Sequence, residues 1–328
     1  MTGNERPEAG PLDIEFSIVS GSSETMLIQC IESLFNTMAA SEYRWLATVT
    51  CNTPGDGFAE TVRTRFPTVT VIENDRPRGF AANHNTVIEA SKARYVWLLN
   101  DDLIILPETV DQVTSYLDDP VNHRVAVVSP KLLNPDGTLQ PSTYSFPSMP
   151  QTLVAHSGLS DHSVTRALLA GVAPLLRRKP GSSRFWAHDR TVEVDTLRGA
   201  CVAMRMDAVR EVGPMVEVAL VGAEETEWHR RFKQRGWKVV FLSEASVVHF
   251  GSQTVQSGST SLYPEYLKGA LYFFRTSKPR SSYIAFCSAL IAMFGVRAAF
   301  AWLTRNERTR NAALRYLEVS REGMKLRP

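Results

Sequence analysis

Short apolar runs alternate with segments of helical spacing along the N-terminal third of the chain. The apolar runs occupy residues 16–19, 45–50, 69–72 and the stretch that begins at Tyr95. Between them, residues 26–38, 58–66 and 81–90 place apolar side chains three and four positions apart, as on one face of a helix. Strands that alternate with helices usually pair in parallel, so the pattern predicts an α/β fold with a doubly wound sheet.

The pattern changes after residue 102. Residues 106–116 have helical spacing, residues 125–128 form another apolar run, and Asn134-Pro135-Asp136-Gly137 is a turn sequence that suggests a hairpin. Residues 140–190 are rich in Pro, Ser and basic side chains, so we expect loops and short helices there, facing an acceptor. The apolar pattern that returns at residues 194–205 predicts one or two strands.

The stretch Tyr95-Val96-Trp97-Leu98-Leu99-Asn100-Asp101-Asp102 reads as a buried strand that ends in two carboxylates. Buried carboxylates are costly unless they are solvated, paired or bound to metal. Ligands of open α/β sheets bind beyond the carboxyl ends of the strands, and carboxylate oxygens suit a hard cation that grips a diphosphate. The stretch therefore predicts a metal–nucleotide site. An N-cap followed by the first turn of a helix explains the same residues.

A second candidate is Gly222-Ala223-Glu224-Glu225-Thr226-Glu227-Trp228-His229-Arg230-Arg231-Phe232, in which three carboxylates open a helix. Negative charge in a first turn is favourable in itself, and Glu227 and Arg231 have the spacing of an ordinary ion pair. Glu224 and Glu225 follow an apolar, Gly-containing loop, as a catalytic carboxylate at the rim of a cleft does. His249, which ends a short apolar strand, is either structural or an additional metal ligand.

Composition narrows the function classes. The 328-residue chain is 44% hydrophobic with a net charge of +2, which gives no indication of nucleic-acid binding. The four cysteines are scattered without a CxxC pair, which favours a reducing compartment over a zinc site or disulfides. Residues 1–10 lack the basic start and apolar stretch of a signal peptide.

Several motifs follow one another in a familiar order. They are Arg78-Gly79-Phe80-Ala81-Ala82-Asn83-His84-Asn85, Leu98-Leu99-Asn100-Asp101-Asp102, Pro130-Lys131-Leu132-Leu133-Asn134-Pro135-Asp136-Gly137-Thr138-Leu139-Gln140, Val194-Asp195 with Gly199-Ala200-Cys201, Glu224-Glu225-Thr226-Glu227-Trp228, Gly236-Trp237-Lys238-Val239-Val240 and Val247-Val248-His249. Together they resemble bacterial family 2 glycosyltransferases of the GT-A fold, especially the rhamnosyltransferase-like branch that builds cell-surface polysaccharides. The resemblance runs from about residue 16 to residue 255.

The resemblance implies a division of the chain. We expect a flexible N-terminus at residues 1–12, a GT-A domain at 13–255 and a helical extension at 256–328. Within the GT-A domain, residues 13–140 are the nucleotide-sugar half and residues 141–255 the acceptor half. The sheet of this fold is mixed but mainly parallel.

The resemblance also implies roles for single residues. Asp102, with His249, is expected to hold Mg²⁺ or Mn²⁺, and Glu225 to act as general base in a single displacement with inversion, with Glu224 and Arg231 orienting it. The expected nucleotide-sugar contacts are Ser20, Cys51, Asn52, Gly79, Asn83, Asn100 and Asp101, and the expected acceptor-side residues are Gly199, Trp228 and Arg231. The donor is a nucleotide diphosphate sugar carrying a rhamnose-like or other hexose. The acceptor is a glycan or lipid-linked glycan, and the location is cytoplasmic, at the inner face of the cell membrane if the chain touches it.

The chain departs from the family pattern on the nucleotide side. Cys51-Asn52-Thr53-Pro54 replaces an Asp-Asn-x-Ser pattern whose Asp reads the pyrimidine base, and Cys is a poor acceptor. Ser20-Gly21-Ser22-Ser23 replaces a Thr/Ser-Tyr-Asn pattern, and Glu225 stands for an Asp. A relative that binds sugar nucleotide without catalysis is therefore an alternative. A nucleotidyltransferase is another, although Gly21-Ser22-Ser23 is too short for its phosphate loop.

Residues 283–303 are apolar but interrupted by Arg297, which leaves a stretch of about 14 residues, short of the ~20 that span a bilayer. Basic residues flank the segment at Arg275, Lys278 and Arg280 and again at Arg305, Arg308 and Arg310. A helix packed on the domain and an amphipathic helix at a membrane surface both fit, and we favour the packed helix.

Overall fold

The computed structural model describes residues 12–21, 23–157, 188–217, 224–251 and 263–326. Residues 1–11 of the expected flexible N-terminus and most of the expected loops at 140–190 lie outside these ranges. The strands are β1 (Ile14–Ser20), β2 (Trp45–Cys51), β3 (Thr70–Glu73), β4 (Tyr95–Asn100), β5 (Leu103–Ile105), β6 (Val125–Leu133), β7 (Leu139–Gln140), β8 (Thr143–Tyr144), β9 (Val192–Glu193), β10 (Thr196–Leu197), β11 (Cys201–Arg205) and β12 (Lys238–His249).

The helices follow the strands in the order of an α/β protein. They are α1 (Glu24–Met38), α2 (Phe58–Arg65), α3 (Phe80–Ala90), α4 (Thr109–Asp118), α5 (Met149–His156), α6 (Met206–Val212), α7 (Glu224–Gln234), α8 (Tyr263–Ser277), α9 (Arg280–Leu303) and α10 (Glu307–Met324), with a short 3-10 helix at Pro120–Asn122. The helices and strands predicted in the N-terminal third are all present, within a few residues of the predicted bounds.

The main sheet has the strand order β3-β2-β1-β4-β11-β6-β12-β5. Strands β1 to β4 pair in parallel, as do β6 and β12, whereas β11 runs antiparallel between β4 and β6. The sheet is thus mixed with a mainly parallel core, which confirms the expected fold. The strand order switches at β1, since β2 and β3 lie on one side of it and β4 on the other, so the ends of β1 and β4 face the crevice where ligands of such sheets bind.

Both faces of the sheet are covered, because its central strands are apolar on both sides. In β4, Tyr95, Trp97 and Leu99 pack towards α1, α2 and α4. The alternate residues Val96 and Leu98 pack towards α3, α6 and α7. A third apolar cluster joins α8, α9 and α10 to α5. This three-layer arrangement holds the strand ends rigidly at one edge of the sheet.

Two local predictions near Asp102 differ from the structure. The alternative in which Asn100 and the two Asp residues open a helix is wrong, because β5 follows directly and α4 begins only at Thr109. The helix predicted from residue 106 starts three residues later for the same reason. Strand β5 is only three residues long and pairs with the end of β12, which brings His249 opposite Leu103. That pairing places His249 beside the carboxylates.

Candidate active site

Asn100 and Asp101 lie at the switch point of the sheet. The Gly21 N–H, just beyond β1, donates to Asp101 Oδ2 at 2.8 Å. The Asn100 N–H donates to the Ala200 carbonyl at 2.9 Å, which ties the start of β11 to the end of β4. Asp101 is buried, and its bond with Gly21 ties the turn after β1 to the end of β4.

Asp102 and His249 form a buried pair. Asp102 is 3% exposed, and neither of its carboxylate oxygens accepts a hydrogen bond. His249 Nε2 lies 3.2 Å from Asp102 Oδ1, and Asn100 Nδ2 lies 3.5 Å from the same nitrogen. A buried carboxylate without hydrogen bonds is costly unless a cation neutralises it. A carboxylate and an imidazole in this arrangement would suit one divalent cation.

Gln140 determines which nitrogen of His249 carries the hydrogen. The Gln140 amide nitrogen donates to Asn134 Oδ1 at 3.0 Å and to the His249 carbonyl at 3.3 Å. The amide oxygen therefore faces Arg198 Nη1 at 3.2 Å and His249 Nδ1 at 2.5 Å. Since that oxygen can only accept, Nδ1 donates, and in a neutral imidazole Nε2 is then the nitrogen that carries the lone pair. Metal-bound histidines are usually oriented by such a bond.

The predicted nucleotide side is held together by three asparagines. Asn74 Nδ2 donates to Asn52 Oδ1 at 2.8 Å and to Asn83 Oδ1 at 2.7 Å. Asn52 and Asn83 also donate to the Arg78 carbonyl, at 3.1 and 3.2 Å. These contacts fix the loop that leads to Gly79, the N-cap residue of α3. Asn52 and Asn83 thus shape the wall of the crevice, and Asn74 is a member of the network that the sequence analysis missed.

Cys51 ends β2 at the edge of the crevice and is buried. Burial raises the pKa of its thiol to about 11, so the side chain is neutral at physiological pH. Beside it, the Ser20 hydroxyl accepts the Asn52 N–H at 3.1 Å. A neutral thiol cannot supply the charged acceptor that the family pattern has at this position. All four cysteines, Cys30, Cys51, Cys201 and Cys287, are buried and unpaired.

Glu225 lies against Gly199. A Cβ at Gly199 would come within 3.3 Å of Glu225 Oε1 and 3.1 Å of Phe80 Cζ, so a larger residue would press both side chains outwards by a few tenths of an ångström. Burial of the carboxylate raises the pKa of Glu225, although backbone hydrogen bonds from Glu225 and Gly199 and the charge of Arg198 act in the opposite direction. A carboxylate with a raised pKa is a stronger base than one in water. The Ala200–Asn100 bond places this base next to the Asp-containing motif.

The other glutamates of α7 have different surroundings. Glu227 accepts from Arg230 Nη2 at 2.9 Å and from Arg231 Nε at 2.8 Å. The second contact is the ion pair that the four-residue spacing of Glu227 and Arg231 predicted. Glu224 is buried beneath the helix start. Arg231 also donates to the Val212 and Pro214 carbonyls, at 2.9 and 2.6 Å. The Trp228 indole N–H donates to the Gly213 carbonyl at 2.7 Å.

These contacts give Trp228 and Arg231 a structural role. Trp228 is buried in the core, and Arg231 fastens the loop at residues 212–214 to α7. Asn85 fixes the same loop from the opposite side, since it accepts the Met215 N–H at 3.0 Å and donates to the Met215 carbonyl at 2.9 Å. We therefore interpret Trp228 and Arg231 as residues that position the start of α7, and their expected contact with an acceptor stays a prediction.

Arg198 was not predicted as a site residue. Its guanidinium donates to Gln140 Oε1 at 3.2 Å and to the Tyr144 hydroxyl at 3.1 Å, and its charge acts on Glu225. It thus lies between the His249 side and the Glu225 side of the crevice. The available signal was its position immediately before Gly199 and Ala200. Among the described residues no group of three or more His, Cys, Asp or Glu side chains converges.

Two known proteins are similar in sequence to part of this chain. O-antigen biosynthesis protein RfbC of Myxococcus xanthus is 23% identical over 207 residues, which are 63% of this chain and 15% of that protein. An N-acetylglucosaminyl-diphospho-decaprenol L-rhamnosyltransferase of Mycobacterium tuberculosis is 23% identical over 210 residues, 59% of this chain and 62% of that protein. The chain thus matches less than two thirds of the length of either relative.

The fold has a counterpart among solved structures. GalNAc-T7, crystallised with UDP, GalNAc and Mn²⁺, superposes with a TM-score of 0.53 at 13% identity, over 82% of this chain and 51% of that one. The model of the family described as "Glycosyltransferase like family 2" matches residues 16–268, well over half of the chain. This result leaves the nucleotidyltransferase alternative without support. The chain belongs to the family described as glycosyltransferase family 2 and has the GT-A fold.

Proposed function

We propose that the protein is a metal-dependent, inverting glycosyltransferase that moves a hexose from a nucleotide diphosphate sugar to a glycan or lipid-linked acceptor. The observation that carries the metal requirement is Asp102, whose two oxygens are buried and accept no hydrogen bond although His249 Nε2 lies 3.2 Å away. The proposal explains why this pair lies next to the end of β4, close to the switch point where ligands of such sheets bind.

Asp102 and His249 would hold Mg²⁺ or Mn²⁺, and the donor diphosphate would supply further oxygens. The cation, when bound, neutralises charge on the diphosphate leaving group as a Lewis acid. Asn100 lies beside this pair, with its Nδ2 3.5 Å from His249 Nε2. Asp101 keeps the turn after β1 closed through Gly21, so that the ribose end of the donor meets a fixed wall.

Glu225 would take the proton from the acceptor hydroxyl as that oxygen attacks the anomeric carbon. Its carboxylate faces Gly199 on the acceptor side, while Asp102 lies at the donor side of the same β4–β11 junction. A base and a leaving-group site on opposite sides of the sugar favour a single displacement, which inverts the anomeric centre. A placed carboxylate contributes on the order of 10²–10⁴-fold to such a step.

The substrates are proposed from the relatives. The mycobacterial relative is described as acting on N-acetylglucosaminyl-diphospho-decaprenol with L-rhamnose, and RfbC takes part in O-antigen biosynthesis. A rhamnose-like donor and a lipid-linked glycan of the cell envelope are therefore the first pair to test. GalNAc-T7 was crystallised with UDP and Mn²⁺, so uridine and thymidine diphosphate sugars with Mn²⁺ belong in the same panel.

Nucleotide release from such a panel tests the proposal. We expect release that stops in EDTA and returns with Mn²⁺ or Mg²⁺, and we expect Asp102→Asn to stay inactive in both metals. Asp136→Asn, a change of the same chemistry at an exposed turn, should behave as the wild type. Undiminished release in EDTA would overturn the metal requirement.

A further inference from the structure

Helix α9 has one face inside the protein. Tyr283, Phe286, Leu290 and Phe294 are buried against α8 and α10. Arg297, which interrupts the apolar segment, turns inwards, and its Nη1 donates to the His156 carbonyl of α5 at 2.6 Å. The charge of Arg297 therefore lies on the side of α9 that faces the protein, and it does not interrupt the outer face.

The opposite face of α9 is exposed and uncharged. Val296 is 70% exposed, Phe300 66% and Leu303 70%, and their spacing of four and three residues puts them on one face. Trp302, 66% exposed, lies at the same end of α9 but about 100° around the helix from Leu303. Arg297 is the single charged residue between Ser281 and Leu303. We call the four exposed residues Val296, Phe300, Trp302 and Leu303 the α9 tip.

The neighbouring helix shows that this composition is specific to α9. Helix α10 packs against α9, yet its exposed positions carry charges, among them Glu307, Arg308, Arg315 and Glu318. A water-facing helix normally looks like α10. Among the described helices, α9 alone is long and apolar enough to cross a bilayer. Only 28% of its most apolar 18-residue stretch is buried in the protein, so most of this apolar surface is uncovered.

Cations border the uncharged face at both ends. Lys278 and Arg280 precede it, and Arg305 and Arg308 follow the α9 tip, all of them exposed. Exposed aromatic and aliphatic side chains next to arginines are what an interfacial helix presents to lipid acyl chains and anionic head groups. A protein partner of ordinary surface would have to cover the α9 tip with a matching apolar surface and carboxylates at both ends.

We propose that the outer face of α9 docks on a bilayer that contains anionic phospholipid, with the α9 tip inserted at the head-group level. The helix lies on the membrane and does not span it, because its inner face packs on α8 and α10 and a spanning path would carry the charged face of α10 into lipid. The sequence analysis favoured a packed helix; α9 is packed on one face only, and the other face is available for lipid.

The helices of the docking region are attached to the helix of the proposed base. Helix α8, which packs on α9, joins α7, the helix of Glu225, through the Arg230 guanidinium, which donates to Thr276 Oγ1 at 3.2 Å. Docking of α9, in a reading that rests on the proposed function, would hold the enzyme at the surface in which a lipid-linked acceptor resides.

Vesicle co-sedimentation of the full chain, without donor or metal, tests the docking separately from catalysis. We expect binding to phosphatidylcholine vesicles that contain phosphatidylglycerol, and at least about tenfold weaker binding to phosphatidylcholine alone, because the flanking arginines meet anionic head groups. Phe300→Ser with Trp302→Ser should lower the apparent affinity by about tenfold or more, with unchanged melting temperature and nucleotide release.

The chain offers a matched control. Val296→Ser should weaken vesicle binding, whereas Val121→Ser, at an 81% exposed valine of the 3-10 helix, should not. Equal binding by the wild type and the Phe300/Trp302 variant overturns the proposal. So does light scattering that shows a wild-type dimer and a monomeric Phe300/Trp302 variant, since the face would then be covered by a second copy of the chain.

Discussion

His249 Nδ1 donates to Gln140 Oε1 across 2.5 Å, and this contact joins residues 109 positions apart in the chain. It fixes the tautomer that leaves Nε2 able to bind a cation beside Asp102. Gln140 reaches this position because β7 forms a hairpin with β6 and β12 runs alongside β6. The geometry of the proposed metal site thus depends on a residue that does not itself meet the metal.

Gln140→Leu should weaken Mn²⁺ binding while the fold persists. Without the amide oxygen, His249 can take either tautomer, and loss of such a supporting bond typically costs about 10–100-fold in metal affinity. Titration calorimetry with Mn²⁺ and nucleotide diphosphate measures the change. Gln140→Glu keeps an acceptor for Nδ1 and should retain most of the affinity, and Gln112→Leu on α4 serves as the control. Equal affinities in Gln140→Leu and Gln140→Glu would show that the contact does not orient His249.

Glu225→Gln should lower the rate of transfer by on the order of 10²-fold or more, with donor affinity little changed. The variant keeps the size of the side chain and removes its basicity. Single-turnover transfer and separate donor titrations distinguish the two effects. A Glu225→Gln enzyme with near-normal turnover beside an inactive Glu224→Gln enzyme would move the base to Glu224.

Glu227→Gln serves as a comparison for this pair. It weakens the contacts with Arg230 and Arg231, which hold α7 and the loop before it, so its main effect should be on stability. We expect a loss on the order of 1–3 kcal/mol in the free energy of unfolding, measured by urea denaturation. An unchanged stability would mean that the two ion pairs do not hold the helix.

The pH dependence of Glu225 has a defined sign. Burial raises its pKa, so the transfer rate should rise with pH through that raised pKa, since only the ionised form accepts a proton. A raised folded-state pKa adds stability that is fully present below the unfolded-state pKa and is lost as pH rises through the folded one. The melting temperature of Glu225→Gln relative to wild type should therefore increase from about pH 4 to about pH 8. The opposite trend would mean that the ionised carboxylate is the form that stabilises the fold.

Cys51→Asp should change donor preference. The neutral thiol is only a weak hydrogen-bond acceptor for a nucleobase, whereas a carboxylate at the end of β2 can accept the ring N–H of uracil or thymine. A hydrogen bond to a charged group contributes roughly 1.5–3 kcal/mol, and titration of a nucleotide diphosphate panel measures it. Cys51→Ser, polar but uncharged, is the control. Identical affinities across the panel would show that the base is recognised elsewhere.

Local patterns in the sequence were sufficient for much of the fold. The helices and strands of the N-terminal third follow from apolar spacing, and the ion pair between Glu227 and Arg231 follows from a separation of four residues. The carboxylates after β4 were recognised because a buried strand ends there. Each of these features depends only on residues that are close together in the sequence.

The rest depends on how distant segments meet. Strand β11 inserts antiparallel between β4 and β6, and only this order brings Gly199 and Arg198 to Asn100. The contacts of Gln140 with His249 and Arg198 arise in the same way. Helix α9 is apolar on both faces, so periodicity could not tell which face the protein buries; the packing of α8 and α10 decides it.

Titration of the apoprotein with Mn²⁺ in the presence of UDP, compared between wild type and Asp102→Asn, tests the central claim most directly. We predict saturable binding of one Mn²⁺ per chain in the wild type and none in Asp102→Asn. The variant should be at least as stable as the wild type without metal, because it removes a buried carboxylate that no hydrogen bond compensates. Equal Mn²⁺ binding by the two proteins would contradict a cation held by Asp102 and His249.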